Sequence, residues 1–191
     1  MSEERETYRR EMQAVDPARL VFLDETAVLT NLTRRSARAP VGERAYGSAP
    51  RNWKHLTVLG AISCDGVAGV MTVPSGTTTE VFVDFLNTML LPVLREQKPD
   101  AILVMDNLSA HKSTAVRQAV EAAGLSLRYL PRYSPDLSPI EPCWSKIKTF
   151  LRAAAARTVE VLKTEVANAI ASVTAEDIQA WFRHCGYPLT S

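Results

Sequence analysis

Residues 101–106 read Ala-Ile-Leu-Val-Met-Asp, five apolar side chains followed by an acid. A run of this length that ends in the turn-forming pair Asp106-Asn107 has the pattern of a strand buried on both faces. A carboxylate at the C-terminal end of a central strand stands where open α/β sheets bind ligands. The pattern recurs at Leu20-Val21-Phe22-Leu23-Asp24, which predicts a second buried strand over 20–25.

Residues 56–63 and 67–73 are two further apolar runs. Cys64-Asp65-Gly66 separates them, and its Asp-Gly signal predicts an antiparallel hairpin. A helix follows. Thr77 and Glu80 have capping-box spacing, and Val81, Phe82, Phe85, Leu86, Met89 and Leu90 recur at helical intervals. Pro92 should kink or end that helix. Beyond the strand at 101–106 the pattern gives a helix over about 113–123, stopped by Gly124, and a strand over 125–130. Helices over about 139–156, 159–173 and 175–184 complete the chain, with Thr158 and Thr174 as N-caps of the last two. Residues 2–14 are polar and helix-prone, a loosely packed lead-in. The expected fold is α/β: a mixed five-stranded sheet of three antiparallel strands plus two added by right-handed crossovers, flanked by helices. The expected division is a lead-in over 1–18, a catalytic domain over 19–155, and C-terminal helices over 156–191 packed on the same domain.

The 191 residues, 46% hydrophobic and 23% charged, suit one globular domain. No apolar run approaches the roughly 18 residues of a membrane helix, and the charged start Met1-Ser2-Glu3-Glu4-Arg5-Glu6 is not a secretory signal. Cys64, Cys143 and Cys185 are scattered and odd in number, the usage of reduced thiols in a cytoplasmic protein. The net charge of +1 is low for a stand-alone DNA-binding domain, so nucleic-acid contacts are expected from local patches or from a segment outside this chain. Residues 34–54 form one such patch. Arg34, Arg35, Arg38, Arg44, Arg51 and Lys54 against Glu43 give 6 − 1 = +5. Gly and Pro interrupt the segment, which predicts a long loop, either a solvated basic loop or one that contacts phosphates or a partner subunit.

Three acids are candidates for chemistry. Strand alternation puts Asp24 and Glu25 on opposite faces, and Asp24 is the preferred member of the pair. Asp106 closes the central strand. Glu141 lies in Ser138-Pro139-Ile140-Glu141, which also reads as a capping box with Pro at the first helical position. The helix it opens has an apolar stripe, Ile140, Trp144, Ile147 and Leu151. In a neighbouring stripe, Glu141, Lys148 and Arg152, the two cations either mark an ordinary solvated face or suit a DNA strand lying along it. His111 could orient a phosphate or cap the next helix, but no second His or Cys stands at zinc-ligand spacing. Two acids at strand ends and one at a helix start can converge to bind hard cations, as in two-metal phosphoryl transfer. Paired carboxylates also serve glycosidases, but the sequence lacks the aromatic-rich surface expected for sugars.

Three motifs carry a more specific resemblance. Asp24-Glu25, Asp106-Asn107-Leu108-Ser109-Ala110-His111-Lys112, and Leu130-Pro131-Arg132-Tyr133-Ser134-Pro135-Asp136-Leu137-Ser138-Pro139-Ile140-Glu141-Pro142-Cys143-Trp144 resemble the catalytic domain of DDE transposases. The pattern is most similar to the bacterial insertion-sequence six-thirty family, kin to the mariner transposases, and the 34 residues between Asp106 and Glu141 match that superfamily. The resemblance covers about residues 19–155. It implies a ribonuclease H-like fold and two Mg2+ ions, replaceable by Mn2+, held by Asp24, Asp106 and Glu141. It also implies cleavage and strand transfer at transposon ends by a homodimer. Expected DNA contacts are the six cations of the 34–54 loop with His111, Lys112, Arg132, Lys148 and Arg152, while Asn107, Ser138 and Trp144 support the site. Ser138 stands where the family typically has Asn. Family members usually carry an N-terminal helix-turn-helix region, whereas this chain starts close to its first strand. That arrangement fits a second reading frame joined by frameshifting, a fragment, or a remnant that dimerises with and inhibits active transposase. Another ribonuclease H-like nuclease is the remaining alternative. The expected location is cytoplasmic, at the nucleoid when bound to DNA.

Overall fold

The computed structural model describes residues 2–74, 76–108 and 111–189; Ser109 and Ala110 of the second motif lie outside the described residues. Five strands, β1 (Leu20–Leu29), β2 (His55–Ser63), β3 (Gly66–Val73), β4 (Ile102–Met105) and β5 (Ser126–Tyr129), form one sheet in the order β3-β2-β1-β4-β5. β1 to β3 pair antiparallel, while β4 joins β1 and β5 joins β4 in parallel. This is the mixed sheet read from the sequence. Gly66, with φ of +151°, supplies the backbone freedom that lets the chain reverse after Cys64-Asp65.

β1 runs through the middle of the sheet, so both of its faces are covered. Leu20, Phe22 and Val28 pack under α5 (Ile140–Ala154), α6 (Val159–Ala171) and α7 (Ala175–His184), against Trp144, Ile147, Leu162, Val166 and Phe182. Val21 and Leu23 pack on the opposite side with Leu103 and Met105, under α2 (Thr79–Phe85), α3 (Leu91–Gln97) and α4 (Thr114–Ala122). Thr158 and Thr174 cap α6 and α7 as expected, and Thr174 forms a full capping box with Asp177.

Three local readings are corrected. The cap of α2 is Thr78 and not Thr77; Thr78 Oγ1 accepts from Val81 N–H, which places Glu80 too early to complete a box. Of the two outcomes open for Pro92, it does not end its helix, and the irregularity lies just ahead of it. The preceding turn, Leu86–Leu90, widens to a π-helix, and Pro92 sits in the first turn of α3, where its missing N–H is tolerated. The lead-in α1 (Ser2–Met12) is fastened, since Tyr8 and Met12 are buried in the core and Tyr8 and Tyr187 hydroxyls are 3.1 Å apart.

Candidate active site

The register between β1 and β4 sets the site. Leu23 pairs with Met105, so Asp24 and Asp106 follow at the same level on adjacent parallel strands. Alternation along β1 turns Asp24 toward α5 and Glu25 toward α2 and α4. Glu141 enters from the first turn of α5. Asp24, Asp106 and Glu141 all line one cleft of about 500 Å³, together with Asn107, Arg132, Tyr133 and Ser138.

The cap expected for Glu141 does not form. Ser138 is buried and follows the short 3-10 turn Pro135–Leu137, and Glu141 N–H donates to the Ser138 carbonyl at 3.1 Å. Pro139 is the N-cap of α5 and makes no side-chain cap bond, so the Glu141 carboxylate lines the cleft instead. The turn that delivers Glu141 is braced from both chain ends. Arg5 donates to Ser134 Oγ at 2.8 Å and to both Asp136 oxygens at 2.9 and 2.6 Å, and this hydrogen-bonded guanidinium holds the Asp136 carboxyl below its ordinary range. Tyr187 Oη donates to the Leu137 carbonyl at 2.7 Å.

Asp24 is shaped by Trp144. The indole Nε1–H donates to Asp24 Oδ2 at 3.0 Å. Gly60, the β2 partner of Asp24, makes room for the ring: a Cβ there would lie 2.6 Å from Trp144 Cη2. Burial pushes the Asp24 carboxyl up to about 7, and the charge of Glu141 adds to the rise. Backbone and Trp144 hydrogen bonds act in the opposite sense.

His111 is not at the surface where a phosphate could reach it. It is fully buried, with Nδ1 2.5 Å from Asp106 Oδ1 and Nε2 2.8 Å from Glu25 Oε2. Burial would lower its basicity, but the hydrogen bonds and charges of the two carboxylates outweigh this and hold its pKa at about 9. Strand alternation separated Glu25 from Asp24 correctly but gave no sign of the bond to His111, which crosses 86 positions of sequence. Lys112 is exposed and donates to Asn107 Oδ1 at 2.6 Å.

The basic segment has no helix or strand between Thr33 and Lys54, and its six cations are exposed. Its ends are tied together: Thr30 N–H donates to the Lys54 carbonyl and Lys54 N–H to Thr30 Oγ1, both at 3.0 Å. Arg157 donates to the carbonyls of Thr30 and Leu32 at 3.1 and 3.0 Å. Arg34 and Arg35 share a surface hollow with Arg152 and Arg157, while Lys148 lies half-buried one turn earlier on α5.

The sequence profile of the DDE superfamily endonucleases matches residues 19–163. The chain belongs to that superfamily. None of the curated proteins matches it in sequence. Among solved structures, the Mos1 transposase paired-end complex with the left transposon end is similar at a TM-score of 0.76 and 21% identity, covering 97% of this chain and 57% of that one. The catalytic domain of Mos1 mariner transposase is similar at 0.68 and 18%, covering 95% and 84%. The Mos1 paired-end complex with Mg is similar at 0.73 and 19%, covering 96% and 58%. The sheet and its flanking helices are therefore the ribonuclease H-like fold of those catalytic domains, and this chain spans 57% of the length of the first of these relatives.

Among the described residues no three His, Cys, Asp or Glu side chains stand close enough together to enclose a metal ion. The donor set nevertheless fits a hard divalent cation. Three carboxylates from three elements line one cleft, and Glu141 is near enough for its charge to oppose ionisation of Asp24. Among the described residues no hydrogen bond engages Asp106 Oδ2; both bonds to this carboxylate reach Oδ1.

Proposed function

We propose that this chain is a transposase catalytic domain of the insertion-sequence six-thirty type, cutting DNA at transposon ends and joining the cut ends to target DNA. The observation that carries this reading is the shared cleft of Asp24, Asp106 and Glu141 in a chain of the DDE superfamily. These three residues would hold Mg2+, with Mn2+ as a substitute. A bound divalent cation would supply Lewis acidity at the phosphate oxygens. Trp144 orients the Asp24 carboxylate through its indole N–H, and the braced 134–138 turn fixes where Glu141 enters. Arg132 lines the cleft and would contact a phosphodiester seated there.

DNA outside the cleft would meet the exposed cations Arg34, Arg35, Arg38, Arg44, Arg51 and Lys54, with Lys112, Lys148 and Arg152 extending the basic surface. Tyr46 and Trp53, 90% and 53% exposed, put stackable rings among these charges. Joining two ends calls for two active sites, so the working unit is proposed as a homodimer.

The test is nicking of duplex DNA that carries terminal inverted repeats, with RNA–DNA hybrids as the comparison. The wild-type chain should nick the duplex in Mg2+ and Asp106→Asn should not, while remaining folded. Retained nicking by Asp106→Asn refutes the assignment, and preference for hybrids favours a different ribonuclease H-like nuclease. A second reading is a non-catalytic chain that pairs with and inhibits an active transposase. Dose-dependent inhibition of an active homologue, with no nicking by this chain alone, distinguishes it.

A further inference from the structure

A fully buried histidine usually settles one ring nitrogen on a backbone carbonyl. His111 instead lies between two carboxylates from different elements, at 2.5 Å from Asp106 and 2.8 Å from Glu25. Ionised carboxylates only accept, so both contacts are hydrogen bonds only when both ring nitrogens carry protons. The ring has little freedom to turn. Its centroid lies 4.4 Å from that of Phe82 at 31°, and the His111 carbonyl accepts from Tyr129 Oη at 3.0 Å. The ring thus transmits the position of Glu25, on rigid β1, to a residue at the end of β4.

Among the described residues, both hydrogen bonds to the Asp106 carboxylate fall on the same oxygen. Oδ1 accepts from His111 Nδ1 and, at 3.1 Å, from Leu108 N–H. A carboxylate held by two donors on one oxygen cannot rotate freely about its Cβ–Cγ bond. Its second oxygen is left for whatever enters the cleft. Glu25 itself faces away from that cleft, and its side chain is 22% exposed.

We propose that Glu25 is a positioning residue for Asp106: acting through His111, it fixes the rotation of the Asp106 carboxylate and presents Oδ2 to a divalent cation. This rests on the cation-binding role proposed for Asp106. Carboxylate–histidine contacts behind a metal ligand are known to matter, and their loss typically costs about 10–100-fold in metal affinity or activity.

Two substitutions separate reach from charge. Glu25→Asp keeps the charge but is one methylene too short to hold a 2.8 Å contact from the same backbone. Glu25→Gln keeps the reach and loses the charge. Mn2+ titration followed by electron paramagnetic resonance on the full chain should show Glu25→Asp weakened by about 10–100-fold and Glu25→Gln close to wild type. In metal-free protein, imidazole 15N–1H spectra should show that the His111 Nδ1–H signal sharpened by Asp106 survives in Glu25→Gln and broadens in Glu25→Asp. Wild-type affinity in Glu25→Asp, a loss confined to Glu25→Gln, or an unchanged Nδ1–H signal in Glu25→Asp each overturns the role of Glu25. A wild-type chain that binds no Mn2+ with or without duplex DNA overturns the cation site as well.

Discussion

Asp24→Asn removes a carboxylate whose charge the metal-free fold accommodates poorly, while Asn Oδ1 can still accept from Trp144 Nε1–H. In the folded chain the Asp24 pKa lies at about 7, against 3.8 for the ordinary group. The folded state therefore holds this proton more tightly than the unfolded one. The stability it contributes is complete below about pH 4 and is lost as pH rises to about 7. At 1.36 kcal/mol per pH unit the gap sets a ceiling of about 4 kcal/mol on the cost of the ionised form above pH 7. Asp24 is only half-buried at an open cleft, and water there offsets part of that cost, so about 2 kcal/mol is expected. For a chain of this size that corresponds to a rise in Tm of about 4–8 °C. The assay is thermal unfolding in EDTA at pH 8 and at pH 4. Asp24→Asn should melt higher than wild type at pH 8 and level with it at pH 4. Adding Mg2+ at pH 8 should raise the wild-type Tm more than that of the variant, because the cation offsets the repulsion that Asn has already removed. A variant that melts at or below wild type at pH 8 in EDTA refutes the account of Asp24 as a charge stressed by burial and by Glu141.

Other expectations follow from particular contacts. Gly60→Ala drives a Cβ into Trp144, and overpacking of this kind should cost about 1–3 kcal/mol in thermal unfolding and shift the tryptophan emission; an unchanged Tm would mean the ring moves freely. Arg157→Ala removes the clasp on Thr30 and Leu32, so trypsin should cut sooner after Arg34, Arg35 and Arg38, and an unchanged digestion pattern would show that the loop is held by other means. Replacing Arg34, Arg35 and Arg38 with Ala should make the slope of log K against log salt shallower by about 2.7 if each meets one phosphate of duplex DNA. An unchanged slope would assign the loop to a subunit contact.

The strands and their order were legible because each buried run carries its own apolar pattern and because Asp65-Gly66 marks the hairpin. The N-caps Thr158 and Thr174 were legible because capping is local, decided within four residues. The same locality misled at Thr77, where three consecutive threonines offer the same chemistry and only the register of α2 selects Thr78. It misled again at Ser138, whose spacing to Glu141 fits a box that the preceding 3-10 turn prevents. What stayed hidden is long-range. The fit of Gly60 under Trp144, the Glu25–His111 bond and the Arg5 clasp on Asp136 join residues 84, 86 and 131 positions apart, and no periodicity encodes them. That Asp24, Asp106 and Glu141 line one cleft was within reach of the sequence, since two of them close apolar strand runs and the third opens α5.

Crystals soaked in Mn2+ and measured at the manganese absorption edge would examine the shared cation site without relying on DNA substrate or turnover. An anomalous peak in the cleft, within coordinating distance of carboxylate oxygens from Asp24, Asp106 and Glu141 and absent from Asp106→Asn crystals, is the predicted result. A cleft that remains free of manganese at millimolar concentrations, or a peak that persists in Asp106→Asn, would contradict it.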